Sequence, residues 1–323
     1  GNLVGYRTSQ DRCDSTNTRL LYCTDGLALV REILGSAGKR DVLILDEVHE
    51  MNLHMDVLIA WARQELMNGR DFKLVLMSAT LQADKMIKFF STVTPALSSI
   101  NIEGRLFHVV EQPPGDTIVQ DISDLVKRGR NILVFEPGKN EIRKTIESLT
   151  ESGCDAVLLP LHGDLSPKDQ RACFNKYSKP KVIVATNIAQ TSITIPDIDA
   201  VVDSGLERRI ELRGGIEGLY LNPISKSDRR QRMYRAGRTK EGIYIDHCAV
   251  PLQDREDNPT AEIKRVRLDQ AILRLAVVGI DMESLTFLNQ PEQAEIKTAK
   301  KTLQDLGCMA SNGDVTRLGK RIS

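Results

Sequence analysis

The sequence lacks any excess of charge: 44 Lys and Arg balance 44 Asp and Glu. A polyanion partner would have to be held by a local basic surface, not by the field of the whole molecule. There is no CxxC pair. The six cysteines (13, 23, 154, 173, 248, 308) are scattered, and none stands at metal-ligand spacing to the five histidines. That argues against a disulfide framework or a zinc site and fits a reducing, cytoplasmic compartment. His247-Cys248 is the nearest approach to a cluster and reads as the end of a strand. No run reaches the roughly 18 apolar residues of a membrane span. The amino terminus has no charged-then-apolar signal pattern. Repeats and low-complexity tracts are also missing. What remains is an ordinary globular composition, 41% hydrophobic and 27% charged, in 323 residues, enough for two or three domains.

Val42-Leu43-Ile44-Leu45 reads as a short strand buried on both faces. It runs into Asp46-Glu47-Val48-His49, at the strand end where open α/β sheets place ligand chemistry. An Asp there can hold the Mg²⁺ of a nucleoside triphosphate, and the Glu beside it can orient and deprotonate a water. The same acids also suit a plain helix start, where carboxylates meet the positive end of the dipole. A lone histidine there is more often structural than catalytic.

Along the chain, Leu20 to Cys23 predicts a strand, and Thr24-Asp25-Gly26 a turn and cap for a helix at about 27–34. Helical spacing marks 52–67, and Lys73 to Met77 is a second buried strand ending in Ser78-Ala79-Thr80. Residues 91–118 are looser, and Pro113-Pro114-Gly115 marks a boundary. Helices and strands then alternate: strands at 131–135, 156–160 and 181–185, helices at 117–128, from 140 and from 167. That predicts a parallel, doubly wound sheet. Two runs about Gly214-Gly215 predict a β-hairpin at 207–221. From about 258 the chain turns helical, with Ala261 to Val278 in helical spacing and a last helix and turn that stop without a closing element.

Thr186 to Ile195 is a strand end opening into a hydroxyl- and amide-rich loop, able to bond phosphates and sugars without reading bases. A connector with local side-chain bonds would look the same. In Gln231-Arg232-Met233-Tyr234-Arg235-Ala236-Gly237-Arg238, the spacing puts Arg235 and Arg238 on one side of a helical turn. Two such arginines can reach a γ-phosphate, with Gln231 ordering the water. Residues 222–240 hold seven Lys or Arg against one acid, so a general polyanion patch is the rival reading.

Together these stretches closely resemble the DEAH-box RNA helicases of superfamily 2, in the family's motif order. Val4-Gly5-Tyr6 and Thr24-Asp25-Gly26 are similar to the region of motif Ib, Asp46 to His49 to motif II, and Ser78 to Thr80 to motif III. Leu133 to Phe135 with Gly138 to Ile142 is similar to motif IV, 184–196 to motif V, and Gln231 to Arg238 to motif VI. The resemblance implies an α/β architecture: two RecA-like parallel-sheet domains, the first incomplete, and a partial winged-helix domain. The expected boundaries are 1–112, 113–250 and 251–323. It implies ATP and Mg²⁺ as cofactors, with Asp46 and Glu47 serving the metal and the water. His49 would link the nucleotide site to motif VI, and Ser78 and Thr80 would couple hydrolysis to movement. Gln231, Arg235 and Arg238 would meet the γ-phosphate, and Thr24, Thr186 and Asn187 the RNA backbone. The partner is RNA, single strand and duplex junction, with the hairpin as a wedge; an activating protein partner stays open.

Gln190 stands where the family usually has Glu, and Tyr234 where it usually has Gly. No G-x-x-x-x-G-K-[ST] occurs in the sequence. The expectation is therefore a helicase core truncated at both ends, inactive on its own, that in intact form couples ATP hydrolysis to translocation on RNA and unwinding. The alternatives are a non-hydrolysing RNA-binding scaffold that naturally lacks that loop, and a helicase acting on DNA.

Overall fold

The computed structural model describes residues 3–8, 11–33, 41–79, 83–94, 96–102, 107–190, 195–238 and 240–323. The chain forms two compact units. One comprises Gly1–Ile100, Leu212–Glu217 and Thr260–Ser323; the other comprises Asn101–Glu211 and Gly218–Pro259.

In the first unit β1 (Val4–Arg7) pairs antiparallel with β2 (Arg12–Cys13) and parallel with β3 (Leu20–Cys23), and α1 (Asp25–Ile33) follows. β4 (Val42–Leu45) and β5 (Lys73–Leu76) form a parallel pair, with α2 (Leu53–Met67) in the connection and α3 (Ala83–Phe90) after it. Asn52 caps α2 by accepting the Met55 N–H at 2.9 Å. The expectation that β4 is buried on both faces fails. Leu43 and Leu45 enter the core beside α2, while Val42 and Ile44 are 46% and 49% exposed. An apolar run carries no period, so it cannot tell a two-sided strand from a one-sided one.

The second unit is built on β6 (Val109–Gln112), α4 (Ile118–Lys127), β7 (Ile132–Phe135), α5 (Lys139–Glu151), β8 (Val157–Leu161), α6 (Pro167–Ala172), β9 (Lys181–Ala185) and β10 (Ala200–Asp203). A hairpin of β11 (Leu206–Arg213) and β12 (Ile216–Pro223), whose Leu212–Glu217 turn groups with the first unit, is followed by α7 (Lys226–Met233) and β13 (Gly242–Asp246). Six strands form one RecA-like parallel sheet in the order β6-β13-β10-β7-β9-β8. Alternate residues feed separate cores, as a period of two requires. Ile132, Val134, Val182, Val184 and Val202 join one, and Leu133, Phe135, Ile183, Ala185 and Val201 the other. Thr117, Ser166 and Ser225 cap α4, α6 and α7 through their hydroxyls. Gly214 and Gly215 both take positive φ (58° and 80°) at the hairpin turn, which side chains resist. β6 lies in the stretch expected to be loose.

The carboxyl-terminal segment returns to the first unit with α8 (Asp269–Val277), α9 (Gln293–Asp305) and α10 (Arg317–Ile322). Ile272, Leu275, Ile296 and Leu303 share a core with Leu29, Leu58 and Trp61. Helical spacing from Ala261 overstates the helix, which starts at Asp269. Residues 262–264 make a 3₁₀ turn instead, because Glu262 is drawn to the start of α2: its carboxylate accepts the Leu53 N–H at 2.8 Å, and its own N–H donates to Met51 O at 2.9 Å. The end of the segment does carry a closing element, α10, after a bridge between Met309 and Val315. Asp56, 1% exposed, sits in this core. Asn289 Nδ2 donates to its Oδ1 at 2.8 Å, Lys85 Nζ donates to Asn289 Oδ1 at 2.7 Å, and Asp56 Oδ2 has no hydrogen bond among the described residues. Burial pushes the Asp56 carboxyl up to about 7, against the pull of the Asn289 bond. No helix among the described residues is long and apolar enough to cross a membrane.

Candidate functional site

The carboxyl end of β4 holds the first half of the predicted constellation. Asp46 is exposed, and its Oδ1 accepts the Glu47 N–H at 2.8 Å. Glu47 has φ 54° and ψ 37°, left-handed backbone that a side chain adopts at a cost of roughly 1–2 kcal/mol. Met51 (φ 48°) is left-handed too, and between them lies one 3₁₀ turn, Val48–Glu50. That turn buries His49 against the loop after β5, where the ladder continues through Met77 N–H to Leu45 O (2.8 Å) and Val48 N–H to Met77 O (3.0 Å). The Ala79 N–H points at His49 Nδ1 from 3.3 Å, and Ser78 Oγ lies 3.4 Å away. A backbone N–H can only donate, so Nδ1 accepts and the neutral ring keeps its proton on Nε2. Nε2 is 3.5 Å from Glu47 Oε2. The fold therefore brings Asp46, Glu47, His49 and Ser78 together. Thr80 lies outside the described residues, and Thr24 stands exposed at the start of α1.

No group of three or more His, Cys, Asp or Glu among the described residues could cage a metal. Mg²⁺ is usually held by one or two carboxylates plus phosphate and water, and the oxygens of Asp46 and Glu47 fit that habit.

The second unit holds the rest: Thr186 and Asn187 follow the carboxyl end of β9, and Gln231 to Arg238 run from the end of α7 into the connection to β13. α7 ends at Met233 with Tyr234 as its cap, so Arg235 to Arg238 lie in turns beyond the helix, not on a helical face. The chain bends there because Gly237 lies against the lead-in to β6. Its carbonyl accepts the Phe107 N–H at 2.9 Å, and a Cβ would stand 2.7 Å from Phe107 O. Arg235 is buried, and Gln231 and Arg238 are half-buried.

Behind Gln231 lies a network that the sequence did not announce. Arg232, 1% exposed, pairs with fully buried Asp203 (Nη1–Oδ1 2.8 Å), and its guanidinium lies 4.7 Å from the Phe135 ring centroid. Asp203 also accepts from Tyr244 Oη and the Gly205 N–H, both at 2.8 Å. Arg232 Nε donates to Gln190 Oε1 at 2.9 Å, and Gln190 Nε2 donates to Asp228 Oδ1 at 2.7 Å and to Gln231 Oε1 at 3.3 Å. The available signal was Asp203 itself: an acid ending a wholly apolar strand needs a buried cation. Four of the seven cations behind the polyanion-patch reading, Arg232 among them, are matched by acids, while Arg230 stands exposed. Arg229 pairs with Glu111 and Asp246, Lys226 with Asp257 and Lys240 with Asp199.

Thr186 and Asn187 line a pocket of about 450 Å³ with Pro137, Lys139, His162 and Arg208. α5 opens onto it behind Gly138, whose Cβ would sit 2.4 Å from Arg208 Nη1. The pocket's cations are already matched. Arg208 forks onto Glu141 (2.6 and 3.0 Å) and holds that carboxyl low, and Lys139 beside Asp164 lowers the Asp164 carboxyl. Hydrogen bonding, not net charge, distinguishes this surface.

The helicase conserved C-terminal domain family matches residues 117–240. Over its whole length the chain is 32% identical to an ATP-dependent RNA helicase HrpA homolog of Haemophilus influenzae, covering 26% of that protein. It is 32% identical to the ATP-dependent RNA helicase HrpA of Borreliella burgdorferi over 99% of this chain and 41% of that one. Among solved structures, the DEAH/RHA helicase HrpB of Escherichia coli superposes with a TM-score of 0.87 at 31% identity, over 99% of this chain and 42% of that one. The chain thus spans less than half the length of the relatives it matches. A conserved helicase domain, end-to-end similarity to HrpA and a closely superposing HrpB fold agree: this chain belongs to the DEAH-box helicase family.

Proposed function

We propose that this chain carries hydrolytic and RNA-gripping parts of a cytoplasmic ATP-dependent RNA helicase that couples ATP hydrolysis to translocation and unwinding. The observation that carries the reading is the Asp46-Glu47 pair at the end of a parallel strand, with Glu47 held in a left-handed turn and His49 pinned to the loop after β5. Strained backbone kept at such a place fits a preorganised site. Asp46 would hold Mg²⁺, which when bound neutralises phosphate charge. Glu47 orients the attacking water and takes its proton. Gln231 orders that water, and Arg235 and Arg238 stabilise charge on the γ-phosphate. Ser78, in the loop that fixes His49, and Thr80 couple hydrolysis to movement. Thr24, Thr186 and Asn187 bond the RNA backbone, the latter two from the pocket beside α5. The reading keeps three functional segments, two RecA-like parts and a winged-helix part, with the first boundary moved from 112 to before β6, which pairs in the second sheet.

The test is RNA-stimulated ATP hydrolysis, by this chain and by a polypeptide extended upstream through a G-x-x-x-x-G-K-[ST] loop. Hydrolysis by the extended form, abolished by Glu47→Gln, is expected. RNA binding without hydrolysis in either form would refute the enzyme reading and favour the scaffold.

A further inference from the structure

We infer that Gln190 is a positioning residue that decides which end of the Gln231 amide faces the γ-phosphate and its water. The inference rests on the helicase reading for the role of Gln231, but the relay itself is fixed by hydrogen-bond chemistry alone.

A glutamine amide has one donating end and one accepting end, and Gln190 is wedged between groups that allow only one orientation. Arg232 offers only donors, and its Nε lies 2.9 Å from Gln190 Oε1. Asp228 is an acceptor when ionised, and its Oδ1 lies 2.7 Å from Gln190 Nε2. Asp228 is itself held by Ser225, whose hydroxyl donates to Oδ2 at 2.6 Å. Gln190, Asp228 and Arg232 are all buried, so water cannot rescue the wrong orientation. With its oxygen committed to Arg232, Gln190 turns its NH₂ toward Gln231 and gives its second proton to Gln231 Oε1 at 3.3 Å. The consequence passes one residue further. Gln231 spends its carbonyl on Gln190 and presents its NH₂ outward as a donor, and that NH₂ makes no other hydrogen bond among the described residues. A carboxylate at position 190 would reverse the sense of the chain. It would accept from Arg232, confront Asp228 with a second negative charge, and draw the Gln231 NH₂ inward, leaving the carbonyl outward.

The experiment compares Gln190→Glu, Asp228→Asn and the double variant with the unaltered chain. Melting temperature and the side-chain amide spectrum of ¹⁵N-glutamine-labelled protein are read on the 323-residue chain. RNA-stimulated ATP hydrolysis is read on the extended polypeptide. Gln190→Glu alone is expected to lower the melting temperature by roughly 5 °C. The double variant recovers it, because the new amide at 228 donates to the new carboxylate at 190. In that refolded double variant the Gln231 NH₂ resonances move and exchange with water more slowly. Its kcat stays roughly tenfold down with the KM for ATP unchanged. Unmoved Gln231 resonances, no thermal coupling between positions 190 and 228, or full recovery of kcat in the double variant would each overturn the proposal. Spectra and melting as expected, with no hydrolysis by any form, would leave the relay standing and remove the helicase reading.

Discussion

Replacing Asp56 by Asn and following stability across pH isolates a single buried carboxyl. In the folded chain that carboxyl titrates near 7, raised by burial, against 3.8 as its ordinary value. The folded state therefore holds the proton more tightly than the unfolded chain does. Its contribution is complete below about pH 4 and is lost as pH climbs to about 7. At 1.36 kcal/mol per pH unit, roughly three units amount to about 4 kcal/mol, of which about 3 kcal/mol falls between pH 5 and pH 8. Asn cannot ionise, yet it keeps the oxygen that accepts from Asn289. The gain in stability from Asp56→Asn should thus be about 3 kcal/mol larger at pH 8 than at pH 5. Urea unfolding followed by Trp61 fluorescence reads it directly, since Trp61 is the only tryptophan and lies in α2 with Asp56, 6.4 Å from the Phe72 ring. A stability difference that does not change with pH would refute the argument.

Arg232→Met strands fully buried Asp203 with only Tyr244 and Gly205 as donors and should cost about 3–5 kcal/mol in urea unfolding. Adding Asp203→Asn should return much of that loss, and a single variant within about 1 kcal/mol of the parent would contradict the ion-pair account. Gly205→Ala places a Cβ 2.2 Å from Cys248 Cβ at φ 66°, whereas Gly129→Ala meets open space at φ 71°. Thermal melts should show the first costing at least about 1 kcal/mol more than the second, and equal losses would mean the close approach is unimportant.

The parallel sheet was legible because stretches such as 132–135 and 182–185 are apolar at every position, the mark of a strand covered on both sides. The end of β4 was legible because Asp46, Glu47 and His49 follow that strand directly. Other features depend on partners far along the chain. β6 was missed because only Val109 and Val110 are apolar and its place comes from pairing with β13. Arg229 and Arg232 looked like solvated cations, since a sequence shows charge but not the distance to Glu111, Asp246 or Asp203. The Arg235 to Arg238 turn was misread because spacing describes a helix and says nothing of where a backbone contact with Phe107 ends it. Gln190 was visible as a departure from the family, but its effect required knowing what lies on each side of its amide.

The first unit shares one core between residues near the start of the chain and residues near its end. On a ribosome, Leu29, Leu58 and Trp61 emerge long before Ile272, Ile296 and Leu303. About 160 residues separate Ile100 from Thr260, and at 5–20 residues per second that is a wait of roughly ten to thirty seconds. The second unit, Asn101–Glu211 and Gly218–Pro259, is synthesised wholly inside that interval, so it can fold while the first is still incomplete. Through the same interval the apolar face of α2 lacks its later partners and stays open to chaperones. Slowing of translation before codon 260 should therefore burden the first unit far more than the second.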